Sequence, residues 1–259
     1  MGSKGVIRPL VWIKGLVRAV APRAVRRWVY AQRKKLAVRP PVGWVRFGSL
    51  RRVTPVSSKW FGRGLPIDRY YIEGFLSAHA PEIRGRVLEI GDDTYTRRYG
   101  ADRVTRSDVL HVLAGNPAAT IVADLTRADH IPCNVFDCII LTQTLQYIYD
   151  VPSALRTLYR ILRPGGTLLA TFPGISQICR YDMDHWGEFW RFTTLSARKL
   201  FGDAFPGAEI GIEAHGNVLA AVAFLHKLAV RELRQSELDY HDPDYEFLIT
   251  VHVVKPGAG

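Results

Sequence analysis

The stretch Val87-Leu88-Glu89-Ile90-Gly91 decides the fold, because a short apolar run ends there in an acid and a glycine. Further short apolar runs follow it, each suited to a buried strand. The predicted strands are Arg86–Gly91, Val104–Asp108, Thr120–Asp124, Val135–Thr142, Thr167–Phe172 and, near the end, Tyr245–Lys255. Strands that alternate with helical segments at this spacing predict an α/β fold with a parallel sheet covered on both faces.

Two helices are predicted from apolar positions and boundary residues. Tyr149–Leu162 carries an apolar stripe at helical spacing, and Pro164-Gly165-Gly166 stops it. Asn217–Arg234 is a second helical stretch, with Asn217 as its candidate cap.

The charge is unevenly distributed along the 259 residues, whose formal net charge is +11. Residues 1–67 hold sixteen Lys or Arg and no Asp or Glu, whereas the remainder has more acidic than basic residues. We therefore predict a basic N-terminal arm over residues 1–56 and a mildly acidic catalytic domain over residues 57–259.

The arm mixes apolar and basic residues without an apolar run of the roughly 20 residues that span a bilayer. Three roles stay open for it: peripheral contact with an anionic membrane surface, cover for the catalytic domain or a homodimer contact, and nucleic-acid binding. Nucleic acid is the least favoured, because no RNA-binding signature of aromatics in a strand is present. The three cysteines form no CxxC pair, which favours the reducing cytoplasm, with the arm at the inner face of the membrane as the peripheral alternative.

Three acids follow one another at predicted strand ends. Glu89 ends the first strand, Asp108 ends the second 19 residues later, and Asp124 ends the third before Leu125. Ligands of open α/β sheets bind beyond the carboxyl ends of the strands. This pattern predicts that Asp108 grips ribose hydroxyls and that Asp124 meets the amine of adenine.

The runs VLEIG, SDVL, VADL, FDCIILTQTLQYIYD and LYRILRPGGTLLATFPG resemble the class I S-adenosylmethionine (SAM)-dependent methyltransferases of the type 11 kind, over roughly residues 83–175. The resemblance implies a Rossmann-like, seven-stranded, mostly parallel sheet whose last strand is antiparallel. It implies that Gly91 lets the backbone approach the methionine part of SAM, and that Thr142 and Gln143 lie beside the sulfonium and the acceptor. The full set expected to bind SAM is Glu89, Gly91, Asp92, Asp108, Val109, Asp124, Leu125, Thr142, Gln143 and Tyr71.

The segment after the first strand departs from that family's glycine-rich loop, since Glu89-Ile90-Gly91-Asp92-Asp93-Thr94-Tyr95 has a single glycine. A dinucleotide pyrophosphate needs several inward-pointing N–H groups and a close backbone approach, whereas SAM has no phosphate. The loop therefore argues against an NAD-dependent dehydrogenase. It leaves open a binding module that has the fold but no catalysis.

Residues 64–73 resemble a segment of methyltransferases encoded beside glycosyltransferases, which closes over the cofactor. By that resemblance Arg69 or Tyr71 touches the SAM carboxylate. The alternative is that Asp68 caps a helix whose Tyr71, Phe75 and Leu76 belong to the core.

The densest group of reactive side chains lies at residues 181–193. We predict His185 as the general base, oriented by Asp184 or Asp182, with Tyr147 as the second candidate. Asp184 and His185 are also candidate ligands of Mg²⁺. The aromatic residues are candidates to stack on a sugar, although Trp190 and Phe192 are expected in the core: they are Tyr181, Trp186, Trp190 and Phe192. Arg191 is expected to pair with a nearby acid, and Thr193 to cap the next helix.

The predicted function is SAM-dependent O-methylation of a sugar hydroxyl, in a polysaccharide or glycolipid, so that the partner is a small-molecule or oligosaccharide acceptor. The alternatives are methylation of a lipid or quinone-like acceptor at a membrane surface, and the module without catalysis. An RNA methyltransferase is disfavoured, because the fourth strand ends in Thr142-Gln143-Thr144-Leu145 rather than in an N/D-P-P-Y/F motif.

Overall fold

The computed structural model describes residues 44–257 and the separate positions 22, 24, 25, 27, 28 and 40. It divides the chain into two compact units, Met1–Val53 and Thr54–Gly259. The described part of the first unit contains one short 3-10 turn, Gly48–Leu50. Most of the predicted basic arm lies outside the described residues, and its roles stay predictions.

The second unit alternates strands and helices as the sequence predicts. Its strands are β1 (Gly85–Ile90), β2 (Val104–His111), β3 (Ile121–Val122), β4 (Phe136–Thr142), β5 (Leu162–Pro173), β6 (Glu209–His215) and β7 (Leu248–Val254). Its α-helices are α1 (Ile67–Ala78), α2 (Val151–Ile161), α3 (Arg180–His185), α4 (Thr194–Ala204), α5 (Val218–Leu225) and α6 (Gln235–Leu238). Short 3-10 or π turns are Ala80–Glu82, Thr96–Gly100, Ala101–Arg103, Leu145–Tyr147 and Val230–Glu232.

The seven strands form one sheet in the order β3-β2-β1-β4-β5-β7-β6. The pairings among β1 to β5 are parallel, and β7 is antiparallel to both of its neighbours. The predicted Rossmann-like sheet with an antiparallel last strand is therefore confirmed. The strand not identified from sequence is β6, an edge strand that alternates exposed and half-buried residues around Gly211.

Helices cover both faces of the sheet and bury a core on each. One core layer packs α2 and α4 on the sheet, with Leu155, Leu158 and Phe201 fully buried. The other packs α1 and α5 on the opposite face, with Ile72 and Leu76 fully buried. Because parallel strands are buried on both faces, β4 and β5 consist of the near-continuous apolar runs that the sequence shows.

The helix caps follow from local side chains. Asp150 caps α2 by accepting from the Ser153 N–H at 3.0 Å, and Thr193 caps α4 in a reciprocal capping box with Ser196. Asn217 caps α5 through the Ala220 N–H at 3.0 Å. The predicted caps Asn217 and Thr193 are confirmed.

The predicted extent of the second helix, to Arg234, is wrong. The helix ends at Leu225, because Lys227 adopts the left-handed conformation with φ of +57°. Ala229 then forms a bridge to Pro66, which joins this turn to the start of α1. Within the described residues no helix is long and apolar enough to cross a membrane.

Gly174 follows β5 where no side chain fits, and it provides a test of this packing. A Cβ there would stand 1.9 Å from the carbonyl oxygen of Glu246, so the backbone before β7 would have to move. We expect Gly174→Ala to lower the free energy of unfolding by about 1–3 kcal/mol, as overpacking does, measured by urea denaturation.

The matched control is Gly202→Ala in α4, where an added Cβ meets nothing within 4 Å. Alanine in a helix is favoured over glycine by roughly 0.5–1 kcal/mol, so the control should be as stable as the parent or more so. Equal stability of the two variants would contradict the close approach at Gly174.

Candidate active site

The carboxyl ends of β1 and β2 meet at Gly91. Its N–H donates to the Leu110 carbonyl at 3.0 Å, and its own carbonyl accepts from the Asn116 side-chain amide at 2.7 Å. Gly91 has a φ of +92°, and the space where a Cβ would stand is open to beyond 4 Å. The single glycine of the loop therefore lies where the backbone is open to close approach, and its contact with SAM stays a prediction.

Glu89 holds the loop that follows β1. Its side chain is buried, with 2% of the residue exposed, and accepts from the N–H groups of Thr96 at 2.7 Å and Tyr95 at 3.2 Å. Burial raises the pKa of Glu89 to about 7 and the charge of Asp92 adds to this, while the two backbone N–H groups oppose it. Asp92 itself accepts from the Thr94 N–H at 2.8 Å, which makes it a turn-forming residue.

Asp108, predicted to bind ribose, is instead part of an internal ion pair. Its residue is 1% exposed, and its carboxylate accepts from Arg86 Nε at 2.7 Å and from Arg106 and Thr120 at 3.2 Å each. Burial alone would raise the pKa of Asp108, but the hydrogen bond and charge of Arg86, with the charge of Arg106, lower it below its ordinary value. These three donors satisfy the carboxylate within the chain, and the ribose-binding role of Asp108 stays a prediction.

Strand β2 is longer than predicted and ends at His111 rather than at Asp108. Asp108 pairs level with Leu88, well before the carboxyl end of β1, and Val109 is buried in mid-strand with its N–H donating to Thr120 Oγ1 at 3.0 Å. The predicted cofactor contact of Val109 stays a prediction. His111 takes the strand-end position, half-buried, with its ring 5.7 Å from that of Trp186.

Asp124 and Leu125 follow β3 at the same edge of the sheet. Asp124 is exposed, and one carboxylate oxygen accepts from both the N–H and the hydroxyl of Thr126 at 2.8 Å. Leu125 is buried. The turn-forming role is therefore present, and the second carboxylate oxygen of Asp124 stays a candidate for a ligand.

Gln143 follows β4 in a left-handed conformation, with φ of +49°. Its N–H donates to the Thr171 carbonyl at 2.7 Å, which continues the pairing of β4 with β5 beyond Thr142. A non-glycine residue with positive φ stores strain that often accompanies a functional site. The side chain of Gln143 lines a cavity, as expected from its position at the strand end.

This cavity, of about 250 Å³, is the candidate site of the second unit. Helix α1, the turn after β4 and the segment around α3 enclose it, and most of its lining residues have polar or charged side chains. The lining residues are Trp60, Asp68, Arg69, Gln143, Gln146, Tyr147, Pro173, Ser176, Gln177, Cys179, Asp182, Glu188 and Phe224.

Four buried polar atoms of the lining have no hydrogen-bond partner among the described residues. They are Asp68 Oδ1, Gln143 Nε2, Gln146 Oε1 and Gln177 Oε1. Asp68 and Gln146 are 5% and 2% exposed. Burial raises the pKa of Asp68, and the nearby charge of Arg69 opposes that shift. Because a buried polar atom costs free energy until it is paired, this lining is built to receive a polar ligand.

The first turn of α1 supplies two residues of the cavity lining, Asp68 and Arg69. Asp68 does not cap the helix, whose N-cap is Pro66, and points into the cavity. Arg69 lines the cavity and donates to the Tyr95 hydroxyl at 3.1 Å. Tyr71, predicted to reach the cofactor, is a core residue whose hydroxyl donates to the Leu238 carbonyl at 2.8 Å, as the alternative core role of this residue predicts.

Tyr147 and Asp182 form a hydrogen-bonded pair in the cavity. The Tyr147 hydroxyl donates to Asp182 Oδ2 at 2.9 Å. Burial, followed by the charge and hydrogen bond of Asp182, raises the pKa of Tyr147 well above its ordinary value, so this phenol keeps its proton. Glu188 is tied nearby, accepting from the Cys179 N–H at 2.8 Å and pairing with Arg191 at 2.7 Å. The expected pairing of Arg191 with an acid is present.

His185 and Asp184 do not line the cavity. Both are exposed on α3: the His185 ring stacks on Tyr181 with centroids 4.0 Å apart, and Asp184 forms an ion pair with Arg180 at 3.4 Å. Residues at successive helical positions point in different directions, and only Asp182 of this run points inward. His185 and Asp184 are thus separate from the cavity, and their catalytic roles stay predictions; within the part of the chain that the structure describes they are not grouped as metal ligands.

The aromatic residues separate into core and surface. Phe192 is buried, as expected, whereas Trp190 is 38% exposed and donates from Nε1 to the Ile148 carbonyl at 3.0 Å. Tyr149 lies parallel to Trp190 with ring centroids 5.7 Å apart and meets Phe189 edge-on at 5.4 Å. These three residues form an exposed aromatic cluster. The cluster lies beside the cavity wall, because the Phe189 N–H donates to the carbonyl of Gln146, which lines the cavity.

Sequence reasoning missed Asp68, Gln146, Gln177 and His111 as site residues. Asp68 and Arg69 follow Pro66 at a helix start, which is the one local signal that could have identified an inward-facing acid. The glutamines have no such signal, because only the turn after β4 brings Gln143 and Gln146 to the same cavity.

Residues 74–170 match the family model described as "Methyltransferase domain", a little over a third of the chain. Among solved structures, phosphoethanolamine N-methyltransferase 2 of Haemonchus contortus, in complex with S-adenosyl-L-methionine, aligns with a TM-score of 0.53 at 17% identity, covering 83% of this chain and 61% of that one. An S-adenosylmethionine-dependent methyltransferase from Mesorhizobium loti aligns with a TM-score of 0.50 at 18% identity, over 76% of this chain and 100% of that one. These likenesses establish the fold.

A curated relative, the ubiquinone/menaquinone biosynthesis C-methyltransferase UbiE of Haemophilus ducreyi, is 37% identical over 63 residues. That match covers 21% of this chain and 24% of the relative, so the chain spans about a quarter of the length of the curated protein it matches.

Replacement of Asp108 and of Asp124 by alanine should change the free energy of unfolding by different amounts. Asp108→Ala leaves Arg86 without its buried partner, and we expect a loss of about 3 kcal/mol in the free energy of unfolding, the lower end for a broken buried pair because Arg86 is 27% exposed. Asp124→Ala, in an exposed turn, should change it by about 0.5 kcal/mol or less. Urea denaturation of both variants checks this, and an unchanged Asp108→Ala would show that the ion pair is not structural.

The shifted pKa of Glu89 predicts a pH dependence of stability. A carboxyl whose pKa is about 7 in the folded state and 4.5 when unfolded binds a proton more tightly in the folded state. The stabilisation of the folded state by protonated Glu89 is therefore fully present below about pH 4.5 and is lost as the pH rises through 7. The free energy of unfolding falls by up to about 3 kcal/mol over that range. Glu89→Gln should flatten this fall in unfolding curves at pH 5 and pH 8; parallel pH profiles of parent and variant would refute the shift.

Proposed function

We propose that this chain is a SAM-dependent methyltransferase that transfers the methyl group to a hydroxyl of a sugar. The fold, the matched methyltransferase segment and the strand-end location of the cavity support SAM as the cofactor. The observation that carries the proposal is the polar cavity with four unpaired buried atoms in its wall.

The residues of the cavity fit the amino-acid end of SAM. Asp68 and Gln146 offer unpaired oxygen acceptors, which suit an ammonium group, and Arg69 offers a guanidinium for a carboxylate. Gly91 leaves open space at the end of β1, where a backbone must approach its ligand. When bound, SAM supplies an electrophilic methyl group on a sulfonium, and the protein has to align an acceptor with it.

For the nucleoside end we assign Asp124 and His111. Asp124 uses one carboxylate oxygen in its turn and keeps the other for the amine of adenine. His111 stands at the end of β2, near the position from which Asp108 had been expected to bind ribose. Its Nδ1 lies 2.9 Å from the Leu113 carbonyl oxygen, which leaves Nε2 to serve a hydroxyl.

The acceptor side of the cavity favours a hydroxyl group. A hydroxyl must lose its proton as it is methylated, and a positioned carboxylate can accept it. We assign this role to Asp182. Tyr147, which keeps its proton, donates to one oxygen of Asp182 and so orients the carboxylate as a positioning residue.

The exposed aromatic cluster of Tyr149, Phe189 and Trp190 supports a sugar as the bearer of that hydroxyl. Its rings lie beside the cavity wall, are solvent-accessible, and present apolar faces on which a saccharide ring can stack. An apolar acceptor such as a quinone would leave the glutamine amides of the cavity unpaired, which is unfavourable.

Methylation of a quinone-type acceptor is the second candidate, because the 37% identical segment belongs to a ubiquinone/menaquinone C-methyltransferase. An assay of labelled methyl transfer distinguishes a quinone-type carbon acceptor from a sugar hydroxyl. The panel consists of oligosaccharides, glycolipids and short-chain quinones. Methylation of quinones alone would overturn the sugar proposal while leaving the cofactor assignment intact.

Binding of SAM is tested by calorimetry with SAM and S-adenosylhomocysteine. We expect the full chain to bind both, and Asp68→Asn to weaken SAM by roughly 10–100-fold, because a hydrogen bond to a charged group contributes about 1.5–3 kcal/mol. The control is His185→Ala, outside the cavity, which should bind as the parent does. If the parent binds neither molecule, the methyltransferase proposal is wrong.

Catalysis is tested with an acceptor found in that panel. Asp182→Asn should lower kcat by about 10²–10⁴-fold with little change in SAM affinity, as for the loss of a general base. Tyr147→Phe should lower kcat less and shift the pH profile of kcat, since it perturbs the carboxylate only indirectly. His185→Ala and Asp184→Ala should keep full turnover; if His185→Ala is inactive and Asp182→Asn is not, the base is misassigned.

A further inference from the structure

A second cluster of reactive side chains lies away from this cavity. His79 follows α1, Glu82 ends the 3-10 turn Ala80–Glu82, and His252 lies in β7. The potential metal-ligating atoms of these three side chains all lie within 4.8 Å of one another. Among the described residues, this is the group of three His, Cys, Asp or Glu side chains with that geometry. Two segments far apart in the chain, residues 79–82 and strand β7, therefore converge on one point.

The carboxylate of Glu82 lies between the two imidazoles. Its Oε1 is 2.8 Å from His79 Nδ1, and its Oε2 is 2.7 Å from His252 Nε2. The two rings are stacked with centroids 4.3 Å apart and planes at 23°. All three residues are half-buried, so they are neither freely mobile surface groups nor inaccessible.

From this geometry we propose that His79, Glu82 and His252 bind a divalent transition-metal ion of the zinc class. Two imidazole nitrogens and one carboxylate oxygen are a ligand set that suits Zn²⁺, which binds at about 2.0–2.2 Å from each. A hard ion such as Mg²⁺ prefers oxygen ligands and is not favoured by two imidazoles. In the hydrogen-bonded state each ring can give one N–H to Glu82, and the metal replaces those protons.

The surroundings of the cluster support the ligand geometry. The Thr167 hydroxyl donates to Glu82 Oε2 at 3.0 Å, which orients the carboxylate from outside the metal position. Phe75 packs edge-on against His79 with ring centroids 4.9 Å apart, which holds that imidazole. Glu82 also lines an open cavity of about 720 Å³, through which an ion and a water ligand can enter.

The site is separate from the methyl-transfer site. Its cavity is lined by Gly85, where β1 begins, and by Pro164 to Thr167 of β5, so it lies at the amino ends of the parallel strands. The proposed methyl-transfer site lies at their carboxyl ends. A metal here would clamp the end of α1 to β7 and stabilise the fold, and this inference does not depend on the proposed function.

The test is metal binding to the full-length, tag-free, EDTA-treated protein. By calorimetry with Zn²⁺ we expect one ion per chain, and with Co²⁺ a visible absorption band from the imidazole ligands. His252→Ala should weaken Zn²⁺ binding by at least about tenfold, since loss of even an outer-shell partner has an effect of that size. His130→Ala, at an exposed histidine outside the cluster, is the matched control and should bind as the parent does.

Glu82→Gln keeps a side chain of the same shape, so it tests the carboxylate even if an alanine variant folds poorly. We expect it to weaken Zn²⁺ binding and to abolish the rise in Tm that Zn²⁺ produces in the parent. No Zn²⁺ binding by the parent, or equal binding by the His79→Ala/His252→Ala double variant, would show that the cluster is only hydrogen-bonded and would overturn the proposal.

Discussion

The register of β1 between β2 and β4 is the constraint on which the rest of the site depends. Glu89 lies level with Val109 of β2 and Ile140 of β4, so three strands reach the same edge of the sheet together. Gly91 continues that pairing through Leu110, and Gln143 continues the pairing of β4 with β5 through Thr171. Because side chains alternate along a strand, a slip of one residue would exchange the buried and ligand-facing positions throughout.

The buried carboxylates of this edge divide by whether their hydrogen bonds are satisfied within the chain. Glu89 receives two backbone N–H groups, and Asp108 receives Arg86, Arg106 and Thr120. Asp68 is as buried but keeps an unpaired oxygen. Burial alone does not separate a structural acid from a ligand-binding one. The unpaired oxygen distinguishes Asp68 from the other two, because no partner within the described residues compensates its desolvation.

The single glycine of the loop after β1 is consistent with this division. Several glycines would be needed to point many N–H groups at a phosphate, whereas here the N–H groups of Tyr95 and Thr96 point back to Glu89. The loop is thus occupied by its own acid, and the polar groups offered to a ligand come from α1 and the turn after β4. The carboxyl edge of the sheet carries this cavity, while the amino edge carries the two imidazoles and the carboxylate of Glu82.

The amino-acid sequence by itself determined the α/β class, the location of six of the seven strands, and the caps Asn217 and Thr193. These features are local: apolar periodicity, turn residues and strand ends are all read within short windows. The ends of β2 and α5 were misjudged, because pairing with β1 and β3 extends β2 to His111 and the left-handed Lys227 stops α5.

Only the tertiary structure decided which acids and histidines line the cavity and which are paired elsewhere in the fold. Asp108 and Asp182 both stand in sequence beside plausible partners, yet one is turned to Arg86 and the other to Tyr147 in the cavity. His185 belongs to the reactive group at residues 181–193 but faces solvent. His252, far from Glu82 in sequence, meets it across the fold. The physical reason is that side-chain direction and hydrogen-bond satisfaction depend on neighbours from distant segments, which a local pattern of residue types does not contain.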